Sequence, residues 1–322
     1  MLRVNILLHV HTVGLRRDLR VFRAVLRGRP VELTITAFDP ALAPRLRRGV
    51  RRAIYTLLPR KRYDINVFVE EISEQWLPFA RVNCLMPHQE WLSEGSRALL
   101  SRLDVVLSKT HFAERLFAEL GLRSIYTGFT TLDRYNPGIR KDFGACIHVA
   151  GSSLQKGSMA VNRTWLDNPS FPTLEMYWYE PSARPIGASN IRLERGFLRE
   201  RVIHEAQNHC GIHLCPSEAE GYGHYLAEAM SCGALVVSTD APPMNELVTN
   251  ERGVLVGYDR VAPQAVGTNF YVDEQKLAVA MRGIFAMPIE ERKRLGEAAR
   301  SWFVENDRAF RNRFWEVLQG LA

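Results

Sequence analysis

The sequence predicts an α/β chain of two doubly wound halves, each built on a mostly parallel sheet. Three observations carry that expectation. Short apolar runs alternate with helical stretches from end to end, the pattern that makes parallel strands joined by helical crossovers. At 322 residues the chain is too long for one ordinary domain and suits two of about 150 residues each. The alternation also restarts after Asp133–Phe143, a stretch with Pro137, Gly138 and several charges, where a boundary belongs.

In chain order, Val4–Val10 reads as the first buried strand; a single basic residue precedes it and no small-residue cleavage site follows, so it is not a signal peptide. Arg17–Leu26 follows as a helix, Val31–Phe38, Ile65–Glu70 and Arg81–Met86 as strands, and Glu94–Ser101 as a helix. Val105–Ser108 is a strand and His111–Leu120 a helix closed by Gly121. The second series opens with a strand at Cys146–Ala150 and continues through Met159–Leu166, Leu174–Tyr179, a Pro- and Gly-rich loop, Leu198–Asn208 and Ile212–Cys215. Leu235–Ser238, Asn245–Val248 and Gly253–Leu255 come next, then helices from Glu274 and Glu290. Asn306–Leu321 carries Phe310, Phe314, Trp315 and Leu318 at helical spacing, an apolar stripe that needs a surface to cover it. Residues 1–138 are thus expected as a first domain, 139–303 as a second and 304–322 as a terminal helix.

Charge and cysteine usage narrow the class. Residues 1–140 hold 23 Lys+Arg against 13 Asp+Glu, leaving 19 against 22 for the remainder, so the first half is the basic one. Its arginines cluster at Arg16, Arg17, Arg20, Arg23, Arg27 and Arg29, then at Arg45, Arg47, Arg48, Arg51, Arg52, Arg60, Lys61 and Arg62. Such runs suit an anionic acceptor, an acidic membrane surface or nucleic acid, or else simply face water. Five scattered cysteines argue against a disulfide framework and for a reducing, cytoplasmic setting, and no apolar run reaches membrane-spanning length.

The most informative segment runs from Ser217 to Leu247. Glu220 and Glu228 bracket a Gly221-Tyr222-Gly223-His224 turn that feeds the strong helix former Leu226-Ala-Glu-Ala-Met230. A helix N-terminus offers unpaired N–H groups and the positive end of a dipole, so it receives a phosphate, while Gly221 and Gly223 allow a ligand close to the backbone. A carboxylate in the helix's first turns, Glu228, can accept both hydroxyls of a ribose. Glu220 then faces whatever hangs from the phosphates. Without a ligand, the same residues make an ordinary αβ unit with a solvated glutamate face.

This block resembles the donor site of retaining GT-B glycosyltransferases, family 4 in particular. That family's signature is a pair of glutamates separated by seven residues inside Glu-Gly-aromatic-Gly…Glu-Ala-Met, preceded here by Pro216-Ser217 and followed by Gly-Ala-Leu-Val-Val at the family's spacing. The resemblance implies two Rossmann-like domains facing a cleft, with the terminal helix crossing back onto the first. It also implies that Glu220 contacts the transferred sugar, Glu228 the ribose, and the turn Gly221, Tyr222, Gly223 and His224 the donor. His148-Val-Ala-Gly151-Ser152-Ser153-Leu-Gln-Lys156-Gly157 sets a lysine on a glycine turn, where an ammonium beside a helix start can offset leaving-group charge. Lys156 alone also reads as a surface lysine. Ser152 and Ser153 stand where family members keep an arginine, so one cationic diphosphate contact is missing and hydroxyls, amides or a displaced arginine must serve.

Three further regions complete the expected site. Asn245 follows Pro242-Pro243 as a donor-site wall or a plain turn, and Arg192 lies where the family receives the nucleobase. Gly14 follows the first strand in place of a glycine-rich turn. His88, after the strand Arg81–Met86, sits where family members keep a histidine near the transferred sugar, and a turn histidine is the bland reading. The run His209-Cys210-x-x-His213-x-Cys215 looks metal-like, but His213 and Cys215 share a strand face while Cys210 lies back toward a helix, so no metal is expected there. No Asp-x-Asp pair for a divalent cation appears either, so the resemblance implies a metal-free transfer needing no cofactor beyond a nucleotide-diphosphate sugar. The acceptor is expected to be a glycan or a lipid-linked glycan in polysaccharide or glycoconjugate synthesis, at the cytoplasmic membrane face. A nucleic-acid-modifying transferase and a non-catalytic nucleotide-sugar-binding module are the alternatives.

Overall fold

The computed structural model describes residues 1–10, 12–38, 61–196 and 198–322, so the arginines from Arg45 to Arg60 lie outside the described residues. Its contacts divide the chain into two units: Met1–Leu132 with Ala265–Gly267 and Asp307–Ala322, and Asp133–Gln264 with Thr268–Asn306.

The first unit is built on strands β1 (Leu2–His9), β2 (Val31–Phe38), β3 (Tyr63–Val69), β4 (Ala80–Met86), β5 (Val105–Ser108) and β6 (Ser124–Tyr126), in the spatial order β2-β1-β3-β4-β5-β6. Every pairing is parallel. β1, β3 and β5 are buried almost end to end, as strands covered on both faces must be, which is why they read as apolar runs without alternation. One polar line crosses this core. Thr36 donates to Asn5, Asn5 to Asn66 and Asn66 to Asn83, at 2.8, 3.0 and 3.0 Å, and each amide thereby meets its hydrogen-bond demand inside the sheet.

Helices α1 (Val13–Leu26), α2 (Glu94–Ala98) and α3 (His111–Glu119) belong to this unit. α1 starts at Thr12, whose hydroxyl accepts the Leu15 N–H at 3.2 Å, and it turns Leu15, Val21, Phe22, Val25 and Leu26 inward. Arg16, Arg20, Arg23 and Arg27 are all exposed, at the spacing that lines up one helix face.

The second unit carries β7 (Asp142–Gly151), β8 (Leu174–Trp178), β9 (Ile191–Glu194), β10 (Cys210–Cys215), β11 (Leu235–Thr239) and β12 (Val254–Val256), ordered β12-β11-β10-β7-β8-β9 and parallel throughout. Its helices are α4 (Ser158–Leu166), α5 (Glu200–His209), α6 (His224–Ser231), α7 (Met244–Leu247) and α8 (Glu274–Ala286). Strand order reverses between β7 and β10. In open α/β sheets ligands bind beyond the carboxyl ends of the strands at such a reversal.

Strands β6 and β9, a two-stranded ribbon and the last helix depart from the expected element list. A two-stranded ribbon, β13 (Tyr258–Gln264) and β14 (Gly267–Val272), stands between β12 and α8. It escapes the sequence because Pro263 interrupts β13 and the turn uses Ala265 at φ 51° in place of an Asn-Gly signal. The last helix, α9 (Ile289–Leu321), is continuous where a break near 304 was expected. Its final turns bury Phe310, Phe314 and Leu318, and the rings of Phe310, Phe314, Phe22 and Phe129 pack with centroids 5.1–5.7 Å apart. Among the described residues no helix is long and apolar enough to cross a membrane.

Candidate donor site

The carboxyl ends of β7 and β10 each lead through a glycine turn into a helix. β7 ends at Gly151, and the chain runs through Ser152, Ser153, Gln155 and Lys156 to Gly157, which caps α4 in the left-handed conformation at φ 65°. β10 ends at Cys215, and Ser217, Glu220, Gly221 and Tyr222 lead to Gly223, which caps α6 at φ 99°. Neither helix has a side-chain cap, and an N-terminus of this kind is where a helix dipole can receive an anion. The two turns touch. A Cβ on Gly157 would stand 2.2 Å from the Pro216 carbonyl oxygen, which explains the Lys-Gly step sterically, and Glu218 N–H donates to Gln155 O at 2.9 Å.

This contact brings Lys156 to Glu220. Lys156 Nζ hydrogen-bonds Glu220 Oε1, and it lies 4.3 Å from the centre of the Tyr225 ring. Ser217 Oγ donates to Glu220 and sits 2.8 Å from the Tyr225 hydroxyl, while Thr239 Oγ1 anchors the Ser217 carbonyl at 2.6 Å. Beneath them, His148 bridges from Nδ1 to the Leu214 carbonyl and from Nε2 to Ser158 Oγ, each at 2.8 Å. Burial pulls His148 down to about 4, with Lys156 acting in the same direction against the Leu214 bond, so its ring is neutral at pH 7. Cys215 lies within electrostatic reach of Lys156, Glu220 and Glu228 together; burial, more than these charges, keeps its thiol protonated.

Glu228, on α6, is buried and accepts from Gln207 Nε2 at 3.3 Å, with Arg134 Nε 4.0 Å away. Tyr222 is buried and its hydroxyl accepts from Asn306, and His224 begins α6 with its ring edge-on to Tyr222. Ser152 is exposed at the turn and Ser153 accepts the Gln155 N–H. Asn245 bonds Asp240 at 3.2 Å in α7 and does not cap that helix, whose cap is Pro243. Arg192 stands outside this cluster: it is exposed on β9 and pairs with Glu175 of β8 at 3.7 Å. His213 is committed to the carbonyls of Gln207 and Cys210, at 3.0 and 3.2 Å.

His88 and Gly14 belong to the first unit. His88 Nε2 lies 2.5 Å from Lys109 Nζ and 3.3 Å from Asp18 Oδ2, and Lys109 bonds Asp18 at 3.2 Å. Gly14 lies within α1 without positive φ, and a Cβ there would meet nothing closer than 3.8 Å, so no backbone demand fixes it as glycine.

Sequence reading missed several of these partners. Gln207 and Arg134 stand beside Glu228, Tyr225 touches Ser217 and Lys156, and Asp18 and Lys109 meet His88. Only Lys109 left a trace, as a charge directly after an apolar strand. Glu218, lifted by burial to about 7 despite Arg260, also went unnoticed.

Known proteins share this fold. A family model described as glycosyl transferases group 1 matches residues 195–302, which include α5, β10, α6 and both glutamates. No curated protein sequence matches the chain. Among solved structures, sucrose-phosphate synthase from Thermosynechococcus elongatus superposes with a TM-score of 0.75 at 14% identity, over 100% of this chain and 99% of that one. Anabaena HepE, solved with UDP and glucose, gives 0.70 at 15% identity over 99% and 100%. A glycosyltransferase from Rickettsia africae gives 0.72 at 12% identity over 99% and 98%. The chain therefore has the GT-B fold, and its segment 195–302 is similar to glycosyl transferases group 1.

Proposed function

We propose that this protein is a retaining glycosyltransferase that moves a sugar from a nucleotide-diphosphate donor to a glycan or lipid-linked acceptor without a metal or other cofactor. One observation carries the reading: two uncapped helix N-termini converge with Lys156, Glu220 and Ser217 at the strand-order reversal. Breaking the anomeric C–O bond leaves negative charge on the diphosphate and positive character on the sugar. An ammonium carries three donors, so Lys156 can hold Glu220 and a phosphate oxygen at once, and the α4 and α6 amides add fixed dipoles. Glu220 faces the sugar, and Glu228 accepts from the ribose. The acceptor hydroxyl adds to the anomeric carbon on the face the diphosphate leaves, and a departing phosphate oxygen takes its proton. HepE was solved with UDP and UDP-glucose, which makes UDP-sugars the first donors to try.

The test is transfer from a panel of nucleotide sugars, with the product anomer read by NMR. Retention is expected, Glu220→Gln should lower turnover by about 10²-fold or more, and excess EDTA should leave the rate unchanged. An inverted product, or a rate that collapses in EDTA, overturns the reading.

A further inference from the structure

Arg134 precedes β7 in a loop held at both backbone groups. Its N–H donates to Ser231 Oγ at 3.1 Å, and its carbonyl accepts from Asn208 Nδ2 at 2.7 Å. The side chain is almost wholly inside the second unit. Nε donates to Gln207 Oε1 at 2.5 Å, and Nη1 pairs with Glu200. Gln207 in turn donates from Nε2 to Glu228 Oε2. Because Arg134 can only donate, the Gln207 amide must face it with oxygen and present its NH₂ to Glu228. The chain of bonds runs one way, from guanidinium through amide to carboxylate.

A carboxylate that reads a diol must be ionised and fixed to within a fraction of an ångström. Glu228 is buried, and a charge taken out of water is costly unless a group of opposite sign stands by, as Arg134 does at 4.0 Å. Arg134 supplies a charge that does not titrate, and its doubly clamped backbone makes it a rigid support. A purely structural arginine would be expected to find acceptors for all its donors. Here Nη2 is buried and has no hydrogen-bond partner, a cost that native interiors seldom keep without a use.

We propose that Arg134, acting through Gln207, positions Glu228 on the ribose hydroxyls of a nucleotide and so sets a preference for ribonucleotides over 2′-deoxyribonucleotides. This rests on the reading of Glu228 as the ribose acceptor given above. Arg134 is a positioning residue: a neighbour that only stabilised the unit would affect both classes of nucleotide alike.

Calorimetric titration of UDP, GDP and ADP, each against its 2′-deoxy counterpart, tests this. Wild type should favour the ribo form of its nucleotide by about 10- to 100-fold, since a site that loses a hydrogen-bonded hydroxyl leaves its own polar group unpaired. Arg134→Gln and Gln207→Leu should bring that ratio to within about threefold while melting cooperatively, and Arg134→Lys should recover part of it. If Arg134→Gln does not fold, the Gln207→Leu and Arg134→Lys ratios decide. Variants that weaken ribo and deoxy forms equally overturn the role of Arg134 but leave the nucleotide site standing. A wild type that binds none of these nucleotides, or binds ribo and deoxy forms alike, overturns the reading of Glu228 and this inference with it.

Discussion

At the scale of single residues, two glycines near the expected site make opposite demands. Gly157 holds φ 65°, and a Cβ there would lie 2.2 Å from a backbone oxygen that cannot rotate away. Gly157→Ala should therefore destabilise the fold by about 2–4 kcal/mol, from left-handed strain plus displacement of the Pro216 turn, as read by urea unfolding. Gly14 is helical and a Cβ there would make only an ordinary contact, 3.8 Å from the Thr12 hydroxyl, so Gly14→Ala should be neutral or gain up to about 1 kcal/mol. Equal effects at both sites would refute the steric account. The contrast also marks what the sequence could reveal. Glu220, Glu228, Lys156 and the glycines between them were legible because turn chemistry and helix starts are local. The Arg134–Gln207–Glu228 relay and the Asp18–His88–Lys109 cluster join residues far apart in sequence, through contacts that only a folded sheet creates.

At the scale of elements, legibility followed periodicity. β2 and β5 match the expected strands residue for residue: β2 alternates apolar and polar residues over Val31–Phe38, and β5 is a short β-branched and apolar run set between Asp104 and Lys109. The short strands β6 and β9, and the β13–β14 ribbon, carry too few apolar residues for any period to show. Helix α9 is where pattern and energetics meet. Phe314 is fully buried against Phe22 and Phe310, so Phe314→Ala should cost about 3–5 kcal/mol in urea unfolding, while the exposed neighbour Glu316→Ala should fall within about 0.5 kcal/mol of wild type. The arginine face of α1 permits a separate check of the expected anionic partner. Wild type should sediment with phosphatidylglycerol-containing vesicles at low salt, and each Arg→Glu change at Arg20, Arg23 and Arg27 should weaken that by about fivefold or more. Vesicle binding that ignores these reversals would reduce the stripe to a solvated face.

At the scale of the whole molecule, stability against pH sums over every group whose protonation changes on folding. His148 and His213 lie in the second unit and both are pulled down by burial, to about 4 and about 3. A base depressed in the folded state contributes its full stability above the unfolded value near 6.5 and loses it as pH falls toward the folded value. Between pH 6.5 and pH 5 the unfolded chain takes up protons that the folded chain refuses, so each histidine removes about 2 kcal/mol. Glu218 works the other way. Burial lifts it to about 7, so from pH 7 downward the folded chain binds a proton that the unfolded chain does not, and this partly exposed carboxyl offsets somewhat less than one histidine. Urea unfolding should therefore show a net loss of about 2 kcal/mol or slightly more from pH 6.5 to pH 5. Gln in place of His148 can keep bonds to the Leu214 carbonyl and Ser158 but cannot titrate, so the pH dependence of His148→Gln should shrink by about the contribution of one histidine. If the variant keeps the wild-type slope, His148 is not held neutral beneath Lys156, and the polar floor of the candidate site must be drawn differently.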